Sequence, residues 1–121
     1  MPITQIETYL DGLSNLQRDY YDQFKALIES VYPKVKVYLF AKQPYFYLEE
    51  HESINFHRRP SIMMAFFKDH VNIFSTANAI FQSRLPMYTF TEKHTLQIYF
   101  DQRLEDDVLK ELFKASLILD K

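Results

Sequence analysis

An acidic segment near the middle of the chain holds the side chains best suited to bind a metal ion. Glu49, Glu50 and His51 are consecutive, and another glutamate follows them. Carboxylate oxygens and imidazole nitrogens are ligands for hard and borderline divalent metals. Asp19 and Asp22 lie three residues apart in a predicted helix, so they share a face and offer a looser pair of oxygen ligands. Neither spacing matches a defined metal motif, and a solvated charge cluster explains both groups as well.

Other kinds of catalytic site find little support. The chain has no cysteine, which excludes thiolate nucleophiles, disulfides and cysteine-based zinc sites. Its one glycine, Gly12, cannot form a glycine-rich phosphate loop, and no serine lies in a G-x-S-x-G motif. His70 and His94 fall at predicted turns, and their nearest acidic neighbours are Asp69 and Glu92. We therefore expect the protein not to be an enzyme.

Length and charge restrict the classes of partner. The 121 residues fit one domain, spanning 1–121, and the 47% hydrophobic content is enough for a core without disulfides. The net charge of −2 argues against nucleic acid, although basic and aromatic residues alternate in the middle of the chain. No signal peptide is apparent, and no apolar run approaches the length of a membrane span. We expect a cytoplasmic protein, monomeric or homodimeric, without a membrane partner.

Two capping boxes predict an N-terminal pair of helices. Thr4 and Glu7 open the first, and Ser14 and Gln17 open a longer second helix. Apolar residues recur three and four apart in both helices, and Pro33 ends the second.

In the middle of the chain, apolar residues recur every second position, which is typical of strands; a helical pattern returns near the C-terminus. Strands are predicted over 35–40, 45–48, 62–67, 71–74 and 95–100, with a short helix over 76–81. A last helix is expected after Asp101, with acidic residues in its first turn, where the helix dipole favours them. Strands grouped between helices predict an α+β two-layer sandwich: an antiparallel sheet with the N-terminal and C-terminal helices on one face.

The sheet face turned away from these helices is predicted to be unusually apolar. It would carry Tyr38, Phe40, Met63, Phe67, Phe74 and Tyr99, with Tyr45 and Tyr47 as further members. Large exposed apolar patches usually mark binding surfaces. Three explanations are open: the segment 76–93 covers the face as a second core, the face is a homodimer interface, or it binds an apolar ligand or a protein partner. In the binding cases, the tyrosine hydroxyls would supply polar contacts.

Three segments carry a resemblance to a known family. Residues 67–74 form a strand–turn–strand pattern with Lys68 and His70 at the turn, and residues 95–98 lead into the last helix. Pro33 and Pro44 flank a strand, and aromatic residues follow the second proline. Over its whole length the chain resembles the YdhG-like domain family of small bacterial proteins, some of which are described as frataxin-like iron chaperones.

The resemblance implies a frataxin-like sandwich that binds ferrous iron and delivers it to an acceptor protein. Lys68 and His70 are the polar positions that match the family, and a role in the turn suits them too. The leading hypothesis is an iron chaperone whose weak, exchangeable ligands are Glu49, Glu50, His51, Asp19 and Asp22. The alternative is a non-enzymatic binding module that uses the aromatic sheet face, with the following residues in contact: Tyr38, Tyr45, Tyr47, Phe74, Tyr99, Lys68 and His70.

Overall fold

The computed structural model describes residues 5–40, 42–55 and 58–118. Its helices are α1 (Gln5–Asp11), α2 (Asn15–Val31), α3 (Asn78–Phe81) and α4 (Asp106–Ser116). Its strands are β1 (Lys36–Phe40), β2 (Gln43–Tyr47), β3 (Ile62–Phe66), β4 (His70–Ser75), β5 (Thr89–Phe90) and β6 (Leu96–Tyr99). Short 3₁₀ turns span Glu49–His51 and Gln82–Arg84.

The strands form a six-stranded antiparallel sheet in the order β1-β2-β3-β4-β6-β5. The predicted α+β sandwich with an antiparallel sheet is confirmed. The two-residue β5 was not predicted, because two residues are too few to show a period.

The start of α2 confirms the capping box at Ser14. The Ser14 hydroxyl accepts from the Gln17 backbone N–H at 3.1 Å, and the Gln17 side chain accepts from the Ser14 N–H at 2.8 Å. The Gln17 amide also donates to the Phe67 carbonyl at 2.8 Å, so the same residue joins the helix to the β3–β4 turn. The other predicted box begins at Thr4, which lies outside the described residues.

The core lies between the sheet and helices α2 and α4. Phe24 of α2 meets Phe113 of α4 edge to face, with ring centroids 6.1 Å apart. Beneath them lie alternate residues of the strands, all fully buried: Ile62, Met64, Val71, Ile73, Leu96 and Ile98. These residues alternate along β3, β4 and β6 with residues predicted for the outer face, so the predicted orientation of the central strands is correct.

The segment 76–93 packs into this same core. Ala77, Phe81 and Tyr88 are among its buried members, and the Ala77 N–H donates to the Ser116 hydroxyl of α4 at 3.1 Å. Tyr88 fixes the start of α4, because its hydroxyl donates to the Arg103 carbonyl at 2.6 Å and accepts from the Glu105 N–H at 2.9 Å. The idea that this segment forms a second core over the aromatic face is therefore wrong.

Tyr21 and its neighbour Tyr20 give a matched test of this core. The Tyr21 ring is 1% exposed, and its hydroxyl has no hydrogen-bond partner among the described residues, whereas the Tyr20 hydroxyl donates to the Gln102 carbonyl at 2.7 Å. A buried polar group without a partner costs ~1–3 kcal/mol. We expect Tyr21→Phe to raise the free energy of unfolding at pH 7 by about 1 kcal/mol and Tyr20→Phe to lower it by about as much, measured by urea denaturation.

Burial raises the pKa of Tyr21 to about 12, and this gives the same variant a second readout. The folded state holds the phenolic proton more tightly than the unfolded chain does, so the stabilisation is complete below pH 10 and is lost as the pH rises towards 12. Tyr21→Phe should remove part of the alkaline loss of stability. An unchanged alkaline profile, or a destabilised variant at pH 7, would contradict this account of Tyr21.

Candidate functional site

The sheet face opposite the helices carries a row of large side chains across four strands. Tyr38 of β1 pairs with Tyr45 of β2, which pairs with Met63 of β3, which pairs with Phe74 of β4. Because residues paired across a sheet point to the same side, this register places all four side chains together. The predicted aromatic face is thus assembled by strand pairing alone.

Rings at both ends of this face remain accessible. The exposed fractions are 38% for Tyr38, 38% for Phe74, 36% for Tyr99 and 46% for Phe67. On the opposite, helix-covered face, the Phe46 ring is fully buried. We call the four exposed residues the open aromatic face.

Tyr45 and Tyr47, also predicted to bind, are only 1% and 5% exposed. They pack with Tyr38, whose ring centroid lies 5.3 Å from that of Tyr45 and 5.6 Å from that of Tyr47. Arg59 covers them, with its guanidinium carbon 4.8 Å from the centre of the Tyr47 ring and 6.0 Å from that of Tyr45. These two tyrosines therefore support the open aromatic face from within rather than contribute free surface to it.

Arg59 is the residue of this site that sequence reasoning missed. Its Nη2 donates to the carbonyls of Glu52 at 2.9 Å and Ile54 at 3.3 Å, so it joins the turn after β2 to the aromatic sheet face. A guanidinium over aromatic rings gains a cation–π attraction. The interaction joins residues that form no periodic pattern in the sequence. Nothing in the sequence distinguishes Arg59 from the adjacent Arg58 as the residue that contacts the rings.

His70 lies between two rings at the far end of the face. Its ring stacks on Phe67 with centroids 4.8 Å apart and lies 5.0 Å from Tyr99. Its Nδ1 lies 2.7 Å from Asp69 Oδ1, and this hydrogen bond lowers the pKa of the Asp69 carboxyl. The two turn residues predicted to bind, Lys68 and His70, thus lie in different surroundings. His70 is part of the ring stack, whereas Lys68 is exposed and lines a cleft beside Tyr99.

Four of the five predicted iron ligands lie in three separate acid–base pairs. Glu49 pairs with Lys36 at 3.3 Å, and Asp22 pairs with Arg18 at 3.2 Å on the surface of α2. Glu50 lies 3.9 Å from His51, which is buried rather than part of a solvated loop.

No ligand set of the kind that holds a metal is assembled by these residues. Within residues 5–40, 42–55 and 58–118, no group of three or more histidine and acidic side chains is close enough to bind a metal ion. Asp19, on the exposed surface of α2, belongs to no such group. The assignment of iron to these residues stays a prediction.

One solved structure shows the same fold. The crystal structure of YdhG, a DUF1801-family protein from Bacillus subtilis, is similar to this chain with a TM-score of 0.69 and 17% sequence identity. The similarity covers 90% of this chain and 85% of that one. The predicted resemblance to YdhG-like proteins is therefore confirmed at the level of the fold.

Sequence comparisons add nothing to this. No family model matches the chain, and no curated protein matches it.

No helix in the described part of the chain is long and apolar enough to cross a membrane.

Arg59 and its neighbour Arg58 allow the support of the aromatic face to be tested. Arg58 is exposed, whereas Arg59 makes the carbonyl and ring contacts described above. Hydrogen bonds that involve a charged group contribute ~1.5–3 kcal/mol. We expect Arg59→Met to lower the free energy of unfolding by about 2 kcal/mol and Arg58→Met to change it by less than about 0.5 kcal/mol, both measured in urea. Equal effects of the two substitutions would remove Arg59 from this role.

Proposed function

We propose that this chain is a non-enzymatic binding module that recognises a protein partner through the open aromatic face. The observation that carries the proposal is the exposure of Tyr38, Phe67, Phe74 and Tyr99 on a sheet whose other face is a complete core. The exposed part of each ring lies in water in the isolated chain, whereas an apolar partner would remove it from water.

The composition of the face matches that of a protein interface. The cores of such interfaces are enriched in tyrosine, phenylalanine, methionine and arginine, and depleted in lysine and acidic residues. The central row consists of Tyr38, Tyr45, Met63 and Phe74, and Arg59 lies over Tyr45. The next row is uncharged, with Asn72 paired to Gln97 and Gln97 paired to Thr89.

The shape of the face favours a protein over a small ligand. Small-molecule sites are concave and bury most of the ligand, whereas a row of rings across four strands presents a broad platform. Asn72 lies among these rows, and its Oδ1 is buried without a hydrogen-bond partner in the described part of the chain. A partner that brings a donor to this atom would gain specificity as well as apolar contact.

A photo-crosslinking experiment in cells tests the proposal. A benzophenone amino acid at position 74 or 99 should capture one discrete protein, and the control position is Ile80 of α3, a 70% exposed apolar residue outside the aromatic rows. Introducing Tyr38→Ser should weaken the adduct from position 74, because it removes the exposed ring at the other end of the same row. An adduct with twice the mass of the chain would identify the partner as a second copy.

Folding must be unchanged for this result to count. Tyr38 packs on Tyr45 and Tyr47 but is 38% exposed, so Tyr38→Ser, alone and in each crosslinking chain, should lower the free energy of unfolding in urea by only about 1–2 kcal/mol and leave the chain folded without urea. A loss of ~3–5 kcal/mol would instead mark Tyr38 as core. Equal crosslinking from positions 74, 80 and 99, or none from any of them, would refute the proposal.

An anaerobic calorimetric titration separates this proposal from the iron hypothesis. Glu49 and Asp22 are paired with basic side chains, and no three possible ligands converge among the described residues, so we expect ferrous iron to give no saturable heat beyond that of magnesium. Saturable micromolar binding of iron alone, lost in Glu50→Gln and retained in the control Glu92→Gln, would favour the iron hypothesis instead.

A further inference from the structure

A cleft of about 580 Å³ lies where α2 ends and the 3₁₀ turn after β2 begins, away from the open aromatic face. It is lined by Tyr32, Pro33, Lys34, Leu48, Glu49 and Glu50. Its volume falls within the ~300–1,000 Å³ of sites for drug-sized ligands. The iron hypothesis used two of its glutamates, but the structure places them at an apolar cleft.

The floor of the cleft is rigidly held. Leu48 is buried in the core, and Tyr32 packs against the same core. The Tyr32 N–H donates to the Ile28 carbonyl at 2.9 Å, and the Tyr32 carbonyl accepts from the Val35 N–H at 3.0 Å. A ligand would therefore meet a preformed apolar surface and would not have to order it.

Two opposite charges on the lining are available to a ligand. Glu49 is committed to Lys36, whereas Lys34 makes no ion pair with any described residue. Among the described residues, the charged neighbour of Glu50 is His51 at 3.9 Å, and the Glu50 side chain is largely exposed. Burial and, second to it, the negative charge of Glu50 raise the pKa of the Tyr32 phenol, and both residues line the cleft.

We infer that the cleft binds a short apolar peptide of two or three residues with free termini. The peptide ammonium group lies against Glu50, its carboxylate lies against Lys34, and its side chains lie on Tyr32, Pro33 and Leu48. A ligand with one charge would leave the other cleft charge unmatched, whereas a zwitterion with an apolar body matches both. This inference is independent of the proposed partner site, which uses other residues.

Three dipeptide probes test each contact separately by ¹⁵N-NMR titration of the full chain. Phenylalanyl-leucine carries both charges, its N-acetyl form lacks the ammonium group, and its C-terminal amide lacks the carboxylate. We expect saturable shifts of the Tyr32, Lys34, Leu48, Glu49 and Glu50 amides with the unmodified dipeptide. Glu50→Gln and Lys34→Gln should each weaken it by about two- to five-fold, as expected for exposed charge pairs.

The test compares how each substitution changes the affinity for each of the three probes. Glu50→Gln should leave the N-acetyl probe unaffected, and Lys34→Gln should leave the amide unaffected, since each probe already lacks the contact removed. Glu92→Gln and Lys110→Gln, which make the same charge changes at exposed sites outside the cleft, should leave all affinities unchanged.

Several outcomes would overturn the inference. These are no saturable shifts, shifts centred outside the cleft, or equal sensitivity of all probes to both substitutions. Free phenylalanine binding as tightly as the dipeptide would also overturn it, because the site would then recognise a single amino acid. Both substitutions are at exposed side chains, so a folded spectrum for each variant is expected and is read from the same experiment.

Discussion

The packing of α2 and α4 against one face of the sheet is the interaction on which the rest of the structure depends. It buries the Phe24–Phe113 pair and the alternate residues of the central strands in one continuous core. The segment 76–93 adds Ala77, Phe81, Leu85 and Tyr88 to this same core. Among the described residues, the helices that contribute to the core thus lie on the first face. The second face is stabilised by other contacts.

On the first face of the sheet, helices cover the strand residues, whereas on the second face the guanidinium of Arg59 covers two tyrosine rings. Arg59 lies over Tyr47 and Tyr45 and donates to two carbonyls of the preceding turn, so one side chain covers rings and holds a loop. This cover reaches only the β1–β2 end of the sheet. Phe74, in the same row, and Tyr99, near the opposite end, stay more than a third exposed. At the β1–β2 end, Tyr38 packs on the covered rings of Tyr45 and Tyr47 and is still 38% exposed.

Local and periodic signals could be predicted from the sequence, whereas contacts between distant segments could not. The box of Ser14 and Gln17 involves residues three apart, and the inward strand residues follow from alternation, so both were predicted correctly. The sequence pattern also placed Tyr38, Phe74 and Tyr99 on one face. It could not distinguish them from Tyr45 and Tyr47, whose burial depends on Arg59. Nor could it place the segment 76–93, whose side chains meet α4 after a long separation in the chain.

The same distinction explains why a run of acidic residues is a weak indication of a metal site. Glu49 and Glu50 are adjacent in sequence, but Glu49 pairs with Lys36 of a neighbouring strand and Glu50 lies beside a buried histidine. A metal requires its ligands to converge on one point, and consecutive residues of a 3₁₀ turn diverge, because they are spaced by about a third of a turn. Instead, this turn places the charges of Glu49 and Glu50 in the lining of one cleft together with Leu48, which forms its floor. Such a combination suits an organic ligand with charged ends better than a bare cation.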